Sequence, residues 1–476
     1  MTDMMYYIIS GVLVIAILFG IFLMSKVKTA KAGNIISATA MILAIVATII
    51  YYTIFANNDG SAAIAAVVIV SVSLLLSLVI GFLIAKKVKM IQMPETVALF
   101  NGLGGAASAI VGGSAVGKYI FSNALVIKEH IFEISTGGLA LTIGLITLVG
   151  SAVAAMKLAK MIKQNPVSFK FQQVINITLI VIIIVSIVLL NVGHGLSGLN
   201  LALYLLIMIA SVIFGWSFSV RVGGADMPIT ISLLNSLSGV AGAISGMAIG
   251  NVLLVAVGGI VGASGLVLTQ IMCKAMNRSL VNILLGNTTK SSGFEAEEVS
   301  QKEKDDRNQL DYISGIKKAK NIIIVPGYGM AVAQAQHVVK QLEDKLEKMG
   351  INVKYAIHPV AGRMPGHMNV LLAEASVDYD KLYEMEDINP EFKNVDLTIV
   401  IGANDVINPA ANTAINTPIY GMPILNVSDS KNIIIMNYDD KPGYAGVNNP
   451  IYTRVDGVAL LFGNALDTVK ELIEKI

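Results

Sequence analysis

The sequence predicts a polytopic α-helical membrane bundle of about nine spans, followed by a C-terminal α/β domain with a doubly wound parallel sheet. Composition is the first reason, because 55% of the 476 residues are hydrophobic and 14% are charged. Soluble domains carry roughly a quarter charged residues. The second reason is asymmetry: charges are sparse before about Met272 and ordinary after Thr288, which indicates two parts with different solvents.

Nine segments have the roughly 20 mostly apolar residues that a bilayer crossing requires. The sixth is very apolar and is expected to face lipid. The fourth, eighth and ninth are rich in Gly, Ala and Ser, which let helices pack closely, so they are expected to form the core of the bundle. The segments lie near residues 6–24, 33–55, 62–85, 94–117, 132–156, 174–190, 199–220, 227–249 and 250–272.

Loop charges orient the bundle. Lysine and arginine residues follow spans one, three, five, seven and nine, whereas the other loops hold only Lys118 and Lys128. The positive-inside rule then places the amino terminus outside and the C-terminal domain in the cytoplasm, as expected for a bacterial-type inner (plasma) membrane. The single cysteine, Cys273, fits a reduced compartment, and no basic run interleaved with aromatic residues indicates nucleic acid.

Polar residues within the spans are few. Asp226 lies at the cytoplasmic end of a span, and Asn101 and Asn235 lie deeper. They line a hydrated proton path in one interpretation, because polar groups inside a membrane are costly and usually serve transport. In the other interpretation the asparagines only join helices and Asp226 is solvated at the interface.

The tail is predicted to be a separate soluble domain. Residues 1–287 form the membrane domain, the polar residues 288–320 are a linker, and residues 321–476 alternate apolar runs with helical patterns. This alternation predicts a Rossmann-like parallel sheet with helices on both faces. The predicted strands are "NIIIV", "NVKYAI", "LTIVIG", "MPILNV" and "NIIIMN".

A glycine-rich turn follows the first predicted strand and has the pattern G-x-G-x-x-V. In dinucleotide-binding domains the first glycine makes the turn, the second admits the pyrophosphate, and a small third residue packs the helix on the strand. A purely structural turn is the alternative. The residues are Gly327, Tyr328, Gly329, Met330, Ala331 and Val332.

Two further stretches are unusual for connecting loops, although turn chemistry alone is an alternative for either, and a third is rich in glycine and proline. "HPVAGRMPGHMN" contains His358 and Arg363. "GANDVINPAAN" places its polar residues past the carboxyl end of a strand, where open α/β sheets bind ligands. "DDKPGYAGVNNP" has the composition of a lid that folds over a ligand. The last two stretches contribute Gly402, Asn404, Asp405, Lys441, Gly443, Tyr444 and Ala445.

These stretches, together with "GGADMP" and "IMCKAMNRS" in the membrane part, resemble one family over essentially the whole chain. It is the β subunit of the proton-translocating NAD(P) transhydrogenase. The resemblance implies that this chain binds NADP(H) and that a separate α subunit binds NAD(H). It also implies hydride transfer coupled to proton translocation, by a dimer of αβ units in a lipid bilayer.

The resemblance also implies residue roles. Gly327 and Gly329 would hold the pyrophosphate, and Tyr444 would cover the cofactor. Arg363 and Asp405 would act near the nicotinamide and in domain coupling, which makes them the candidate catalytic residues. Asp226, Asn235 and Asn101 would belong to the proton path. Hydride transfer needs positioning rather than an acid, base or nucleophile from the protein, and no metal is expected.

The chain departs from the family pattern in two places. Asn101 stands where well-known members carry a histidine, so the titrating group could come from the α subunit. Asn437, Tyr438 and Asp439 replace the Lys-Arg-Ser that grips the 2′-phosphate of NADP, and Asp440 follows. Because carboxylates repel a phosphate and bind a ribose hydroxyl, the hypothesis is weaker discrimination against NAD(H), or a preference for it. Lys441 could restore part of the grip.

Two other functions stay open. A transporter or channel with a nucleotide-sensing cytoplasmic domain would share the spans and the glycine turn. Redox turnover that requires a partner binding NAD(H) would distinguish the transhydrogenase from such a transporter. An inactive assembly subunit is the third alternative, and the intact motifs around Arg363, Asp405 and Tyr444 argue against it.

Overall fold

The computed structural model describes most of the chain, which divides into two compact units at Thr269 and Gln270. Arg363, Tyr444 and residues 288–310 of the predicted linker lie outside the described residues. The described residues are 3–24, 27–51, 60–89, 92–121, 130–163, 166–192, 197–223, 226–285, 311–362, 364, 366–415, 417, 419–443, 445–454 and 456–476.

Within these residues, nine helices are long and apolar enough to cross a membrane. Each overlaps one predicted segment, so the predicted membrane bundle is confirmed. The helices are α1 (Asp3–Met24), α2 (Val27–Ile50), α3 (Gly60–Lys87), α4 (Met93–Phe121), α5 (Ile131–Leu158), α6 (Gln172–Val192), α7 (Ser197–Val220), α8 (Met227–Ala248) and α9 (Val252–Ala275). The short helix α10 (Leu280–Leu285) follows.

The most buried helices of the membrane unit are α4, α5 and α8. About half of the apolar stretch of each is buried, against a third for α9 and none for the described part of α3. This burial agrees with the prediction for α4 and α8. The helix α9 is less buried, but its small residues pack tightly on α8, where a Cβ on Gly239 would lie 2.5 Å from the Gly262 nitrogen. The sequence did not mark α5 as a core helix. The glycines of α5 are spread over several turns, so no dense cluster marks it. The helix α6, which the sequence predicts to face lipid, also has one buried face, and this face includes Ile183 and Ile187.

Glycines bring the backbones of α4 and α5 together. A Cβ on Gly144 would lie 2.5 Å from the carbonyl oxygen of Gly105 and 2.6 Å from the nitrogen of Ala109. A Cβ on Gly112 would lie 2.6 Å from the carbonyl oxygen of Gly137. Small residues of this kind permit close helix packing where no hydrophobic driving force acts between helices.

Replacing Gly144 by alanine is expected to lower the thermal midpoint of the detergent-purified protein. The new methyl group meets backbone atoms that cannot rotate away, and overpacking costs about 1–3 kcal/mol. Gly259→Ala in α9 is the control, because a Cβ there meets nothing within 4 Å. Equal midpoints for the two variants would contradict the close approach of α4 and α5.

The second unit contains a six-stranded parallel sheet in the order β3-β2-β1-β4-β5-β6. The predicted doubly wound parallel sheet is thereby confirmed. Its strands are β1 (Asn321–Pro326), β2 (Asn352–Ile357), β3 (Leu382–Glu384), β4 (Leu397–Ile401), β5 (Ile433–Asn437) and β6 (Val458–Phe462). The helices are α11 (Tyr312–Lys318), α12 (Tyr328–Val332), α13 (Gln336–Lys348), α14 (His367–Glu374), α15 (Met385–Ile388) and α16 (Ala465–Lys475).

The predicted strand "MPILNV", residues 422–427, is not a strand. Pro423 has no N–H to donate to a ladder. The segment makes single bonds instead: the Leu425 N–H donates to the Val406 carbonyl, and the Asn389 amide donates to the Ile424 carbonyl. The strands β3 and β6, which the sequence did not predict, are the two edges of the sheet.

The central strands are buried on both faces. Every residue of β4 and β5 is buried, and the core on one face is built largely from β-branched residues such as Ile323, Val325 and Val400. On α13, the fully buried Glu343 accepts a hydrogen bond from the Tyr355 hydroxyl at 2.9 Å and pairs with Lys340 and Lys381. A buried carboxylate needs such matched partners.

Candidate functional site

The carboxyl ends of β1 and β4 meet at the point where the strand order reverses. From β1 the chain continues to β2 and β3 on one side, and then crosses to β4 on the other side. The loops that leave β1 and β4 therefore diverge, and open parallel sheets bind ligands at such switch points. The predicted turn at residues 327–332 and the predicted loop at residues 402–405 both start here.

These two loops are in backbone contact. The Gly327 N–H donates to the Ile401 carbonyl and the Gly329 N–H donates to the Gly402 carbonyl, both at 2.8 Å. A Cβ on Gly327 would lie 2.5 Å from the Cα of Ala403. Gly402 has a φ of +71°, and a Cβ on it would lie 2.5 Å from the Cα of Gly329. Only glycine fits these positions without moving the backbone.

The helix after the turn, α12, is short. Gln334 adopts a left-handed φ of +52°, its N–H donates to the Ala331 carbonyl, and the Ala335 N–H donates to the Met330 carbonyl. This bond pattern closes a helix. Met330 and Ala331 are buried and Tyr328 is half-buried, but Val332 is 51% exposed. The prediction that Val332 packs the helix on the strand is wrong, because the helix ends within about one turn.

Polar side chains after β4 hold the predicted lid. The Asn404 amide donates to the Lys441 carbonyl at 3.0 Å, and the Asp405 carboxylate accepts from the Ala445 N–H at 3.0 Å. A Cβ on Gly443 would lie 2.5 Å from that carboxylate. Asn408 donates to the carbonyls of residues 447 and 448. The structure thus brings the two predicted loops together, and Asp405 anchors their contact.

His358 is buried, and both of its ring nitrogens are engaged within the protein. Nε2 lies 2.9 Å from the Pro423 carbonyl, and Nδ1 accepts from the Val360 N–H at 3.3 Å. Burial lowers the pKa of His358 to about 4, so the ring is neutral at neutral pH, with its proton on Nε2 facing the Pro423 carbonyl. His358 therefore braces its loop and has no nitrogen left to donate to a ligand.

The residues from the last position of β5 onward divide into an inward and an outward group. Asn437 is buried, and its amide donates to the Ala403 carbonyl and to the Tyr452 hydroxyl. Burial raises the pKa of Tyr452 to about 12. Tyr438 is 80% exposed, and the Lys441 Nζ lies 3.9 Å from an oxygen of the Asp439 carboxylate. The side chain of Asn437 thus serves the fold, while Tyr438, Asp439 and Lys441 face outward.

The comparison with known families decides the identity. The family model for the NAD(P) transhydrogenase beta subunit matches residues 3–475. The chain belongs to the NAD(P) transhydrogenase beta subunit family. Two relatives named NAD(P) transhydrogenase subunit beta, from Rhodospirillum rubrum and one of its strains, are each 39% identical over 474 residues, or 98% of this chain and 97% of the relative. The resemblance drawn from the motifs is confirmed, and a beta subunit implies an alpha subunit.

Two of the three polar residues predicted in the spans of this beta subunit are buried. Asn101 on α4 donates to the Ile231 carbonyl on α8 at 3.4 Å, and Asp226 precedes α8. Asn235 on α8 is half-buried. The structure thus brings Asn101 to α8, the helix that carries Asn235 and follows Asp226.

Sequence reasoning missed several buried polar residues of the beta subunit. Asn449 donates to Asn404, and Tyr452 contacts Asn437, so both help to build the edge that carries the lid. Lys157 directly follows the fifth predicted span, so its sequence position indicates a loop. In the structure it is buried and donates to the carbonyls of Val220 and Val222, both at 2.6 Å. Its apolar neighbours in α5 were the only signal that it lies inside a helix.

Proposed function

We propose that this chain couples hydride transfer between NAD(H) and NADP(H) to proton translocation. Residues 321–476 bind NADP(H), residues 1–287 conduct the proton, and residues 288–320 connect them. The partner alpha subunit binds NAD(H), in a dimer of αβ units whose C-terminal domains lie in the cytoplasm of a bacterial-type cell. The observation that carries this proposal is the glycine contact at the switch point, in a chain whose other part has nine membrane-capable helices among its described residues.

The residues at the switch point fit a dinucleotide. The turn from Gly327 to Val332 would hold the pyrophosphate, and the loop with Gly443, Tyr444 and Ala445 would cover it. When bound, the nicotinamide supplies the hydride chemistry. Asp405 fixes the lid by accepting from the Ala445 N–H, and Arg363 would act near the nicotinamide. In the membrane, Asn101, Asp226 and Asn235 would orient water along a proton path. The titrating group of that path would come from the alpha subunit.

The exposed residues after β5 support weak discrimination between the two dinucleotides. Tyr438 and Asp439 stand where a 2′-phosphate would need cations, and Asp440 adds a second anion. Lys441 is 80% exposed and close to Asp439, so solvent and that carboxylate both screen its charge. We propose that the domain accepts NAD(H) as well as NADP(H), or prefers NAD(H).

Calorimetric titration of the full-length chain in detergent tests this proposal. Comparable or tighter binding of NADH than of NADPH, at one dinucleotide per chain, supports the altered preference. Much tighter NADPH binding refutes it and indicates that Lys441 or another cation binds the 2′-phosphate. No binding of either dinucleotide contradicts the assignment of the site itself.

Replacing Asp405 by alanine is expected to speed dissociation of the bound dinucleotide by roughly tenfold to a hundredfold. The variant removes the acceptor of the Ala445 N–H, and an unsatisfied group of this kind costs about 1–3 kcal/mol. Stopped-flow displacement measures the rate. Asp405→Asn keeps an oxygen acceptor at the same place and should lose less. Unchanged rates in both variants would show that Asp405 does not hold the lid.

A further inference from the structure

A cleft of about 660 Å³ lies at the opposite edge of the sheet from the switch point. Its walls come from α11, from residues 393–396 before β4 and from residues 431–432 before β5. Volumes of roughly 300–1,000 Å³ are typical of small-ligand sites. The strands, at about 3.3 Å per residue, separate the cleft from the candidate dinucleotide site by roughly 17–20 Å. None of the residues assigned to the dinucleotide lines it.

The two carboxylates of the cleft are already engaged within the protein. Asp311 accepts from the Ser314 N–H at 3.2 Å and from the Ser314 hydroxyl at 2.6 Å. Asp396 accepts from the N–H groups of Lys320 and Asn321, at 2.8 and 2.9 Å. These backbone bonds, led by that of Asn321, lower the pKa of Asp396, so it is an anion, and one of its two oxygens accepts both bonds.

Three lysines of the cleft form no direct ion pair with a described residue, although the charges of Lys318 and Lys431 act on the Asp311 and Asp396 carboxylates. Lys318, Lys393 and Lys431 come from three separate segments and are all exposed. None lies within 4.0 Å of a carboxylate in the part of the chain that the structure describes. Each ammonium is a compact point charge with three donors, a good partner for phosphate oxygens.

We propose that this cleft binds a phosphate-bearing anion through Lys318, Lys393 and Lys431. Three ammonium groups match an anion with several charged oxygens better than a single carboxylate, and the cleft is larger than one phosphate ion. The anion is either a soluble polyphosphate or the head group of an anionic phospholipid. Both present the same chemistry to the lysines, and neither depends on the dinucleotide site.

The test uses the full-length chain in detergent with about one equivalent of NADPH or NADH per chain, which fills the dinucleotide site without supplying excess phosphate-bearing ligand to the cleft. Inorganic triphosphate is titrated as the soluble probe, and short-chain phosphatidylglycerol as the lipid probe beside neutral phosphatidylcholine. The variant Lys318→Ala/Lys393→Ala/Lys431→Ala is expected to weaken binding by about tenfold or more, since three exposed charge contacts are lost. Retained dinucleotide binding shows that the variant is folded.

A matched control removes the same net charge elsewhere. Lys348→Ala/Lys470→Ala/Lys475→Ala neutralises three exposed lysines on α13 and α16 that do not line the cleft. Saturable binding of either probe that the control retains and the cleft variant loses supports the site. The probe that binds identifies the source of the phosphate. Equal weakening in both variants, or no saturable binding of either probe to the unmodified chain, overturns the proposal.

Discussion

Replacing Gly402 by alanine is expected to abolish dinucleotide binding and to destabilise the C-terminal domain by about 2–5 kcal/mol. Gly402 has a φ of +71°, which costs a residue with a Cβ about 1–2 kcal/mol. The new Cβ would also lie 2.5 Å from the Cα of Gly329. Relieving that clash means breaking the 2.8 Å bond from the Gly329 N–H to the Gly402 carbonyl, which sets the position of the turn.

The control for this prediction is Gly350→Ala. Gly350 has a φ of +82°, but a Cβ on it meets nothing within 4 Å. This variant therefore carries the backbone cost alone, about 1–2 kcal/mol, and should bind dinucleotide normally. Thermal midpoints and calorimetric titrations of both full-length variants measure the difference. If Gly402→Ala is as mild as Gly350→Ala, the two loops do not meet as described.

The double variant Tyr438→Arg/Asp439→Ser is expected to shift the preference toward NADPH over NADH by about a hundredfold. It adds one cation and removes one anion, and each charged hydrogen bond contributes about 1.5–3 kcal/mol. Tyr438 is 80% exposed, so its replacement breaks no packing. Asn437 is left unchanged, because its buried amide donates to Ala403 and Tyr452.

A second Tyr-Asp pair provides the matched control. Tyr379 and Asp380 precede β3, at the amino edge of the sheet, and both are exposed. Tyr379→Arg/Asp380→Ser makes the same change in charge far from the carboxyl edge and should leave the ratio of the two dissociation constants unchanged. A similar shift in both variants would mean that net charge alone sets the preference.

The sequence was sufficient for the large features of the fold. Hydrophobic length gave nine spans, because a bilayer imposes that length on every helix. Alternation of apolar runs with helices gave the parallel sheet, and the spacing of Gly327 and Gly329 after a strand gave the position of the turn. Each of these features depends on local pattern alone.

Features that depend on distant neighbours were not predictable. Every residue of β5 is buried, so the alternation of side chains along the strand carries no sign that Asn437 points inward. Gln334 ends α12 in a conformation that glycine usually adopts, so the sequence lacks the ordinary stop signal. "MPILNV" has the composition of a strand apart from Pro423, and its backbone bonds to Val406 and Asn389 instead of joining the sheet.

Coupling of hydride transfer to proton movement is the central claim, and vesicles test it most directly. The chain is reconstituted with its alpha subunit, and a pH-sensitive dye is followed while one nucleotide is supplied reduced and the other oxidised. We expect proton movement that requires both subunits and both nucleotides, with hydride transfer that accelerates when an uncoupler is added. Full-rate hydride transfer without proton movement, or proton movement without hydride transfer, would contradict it.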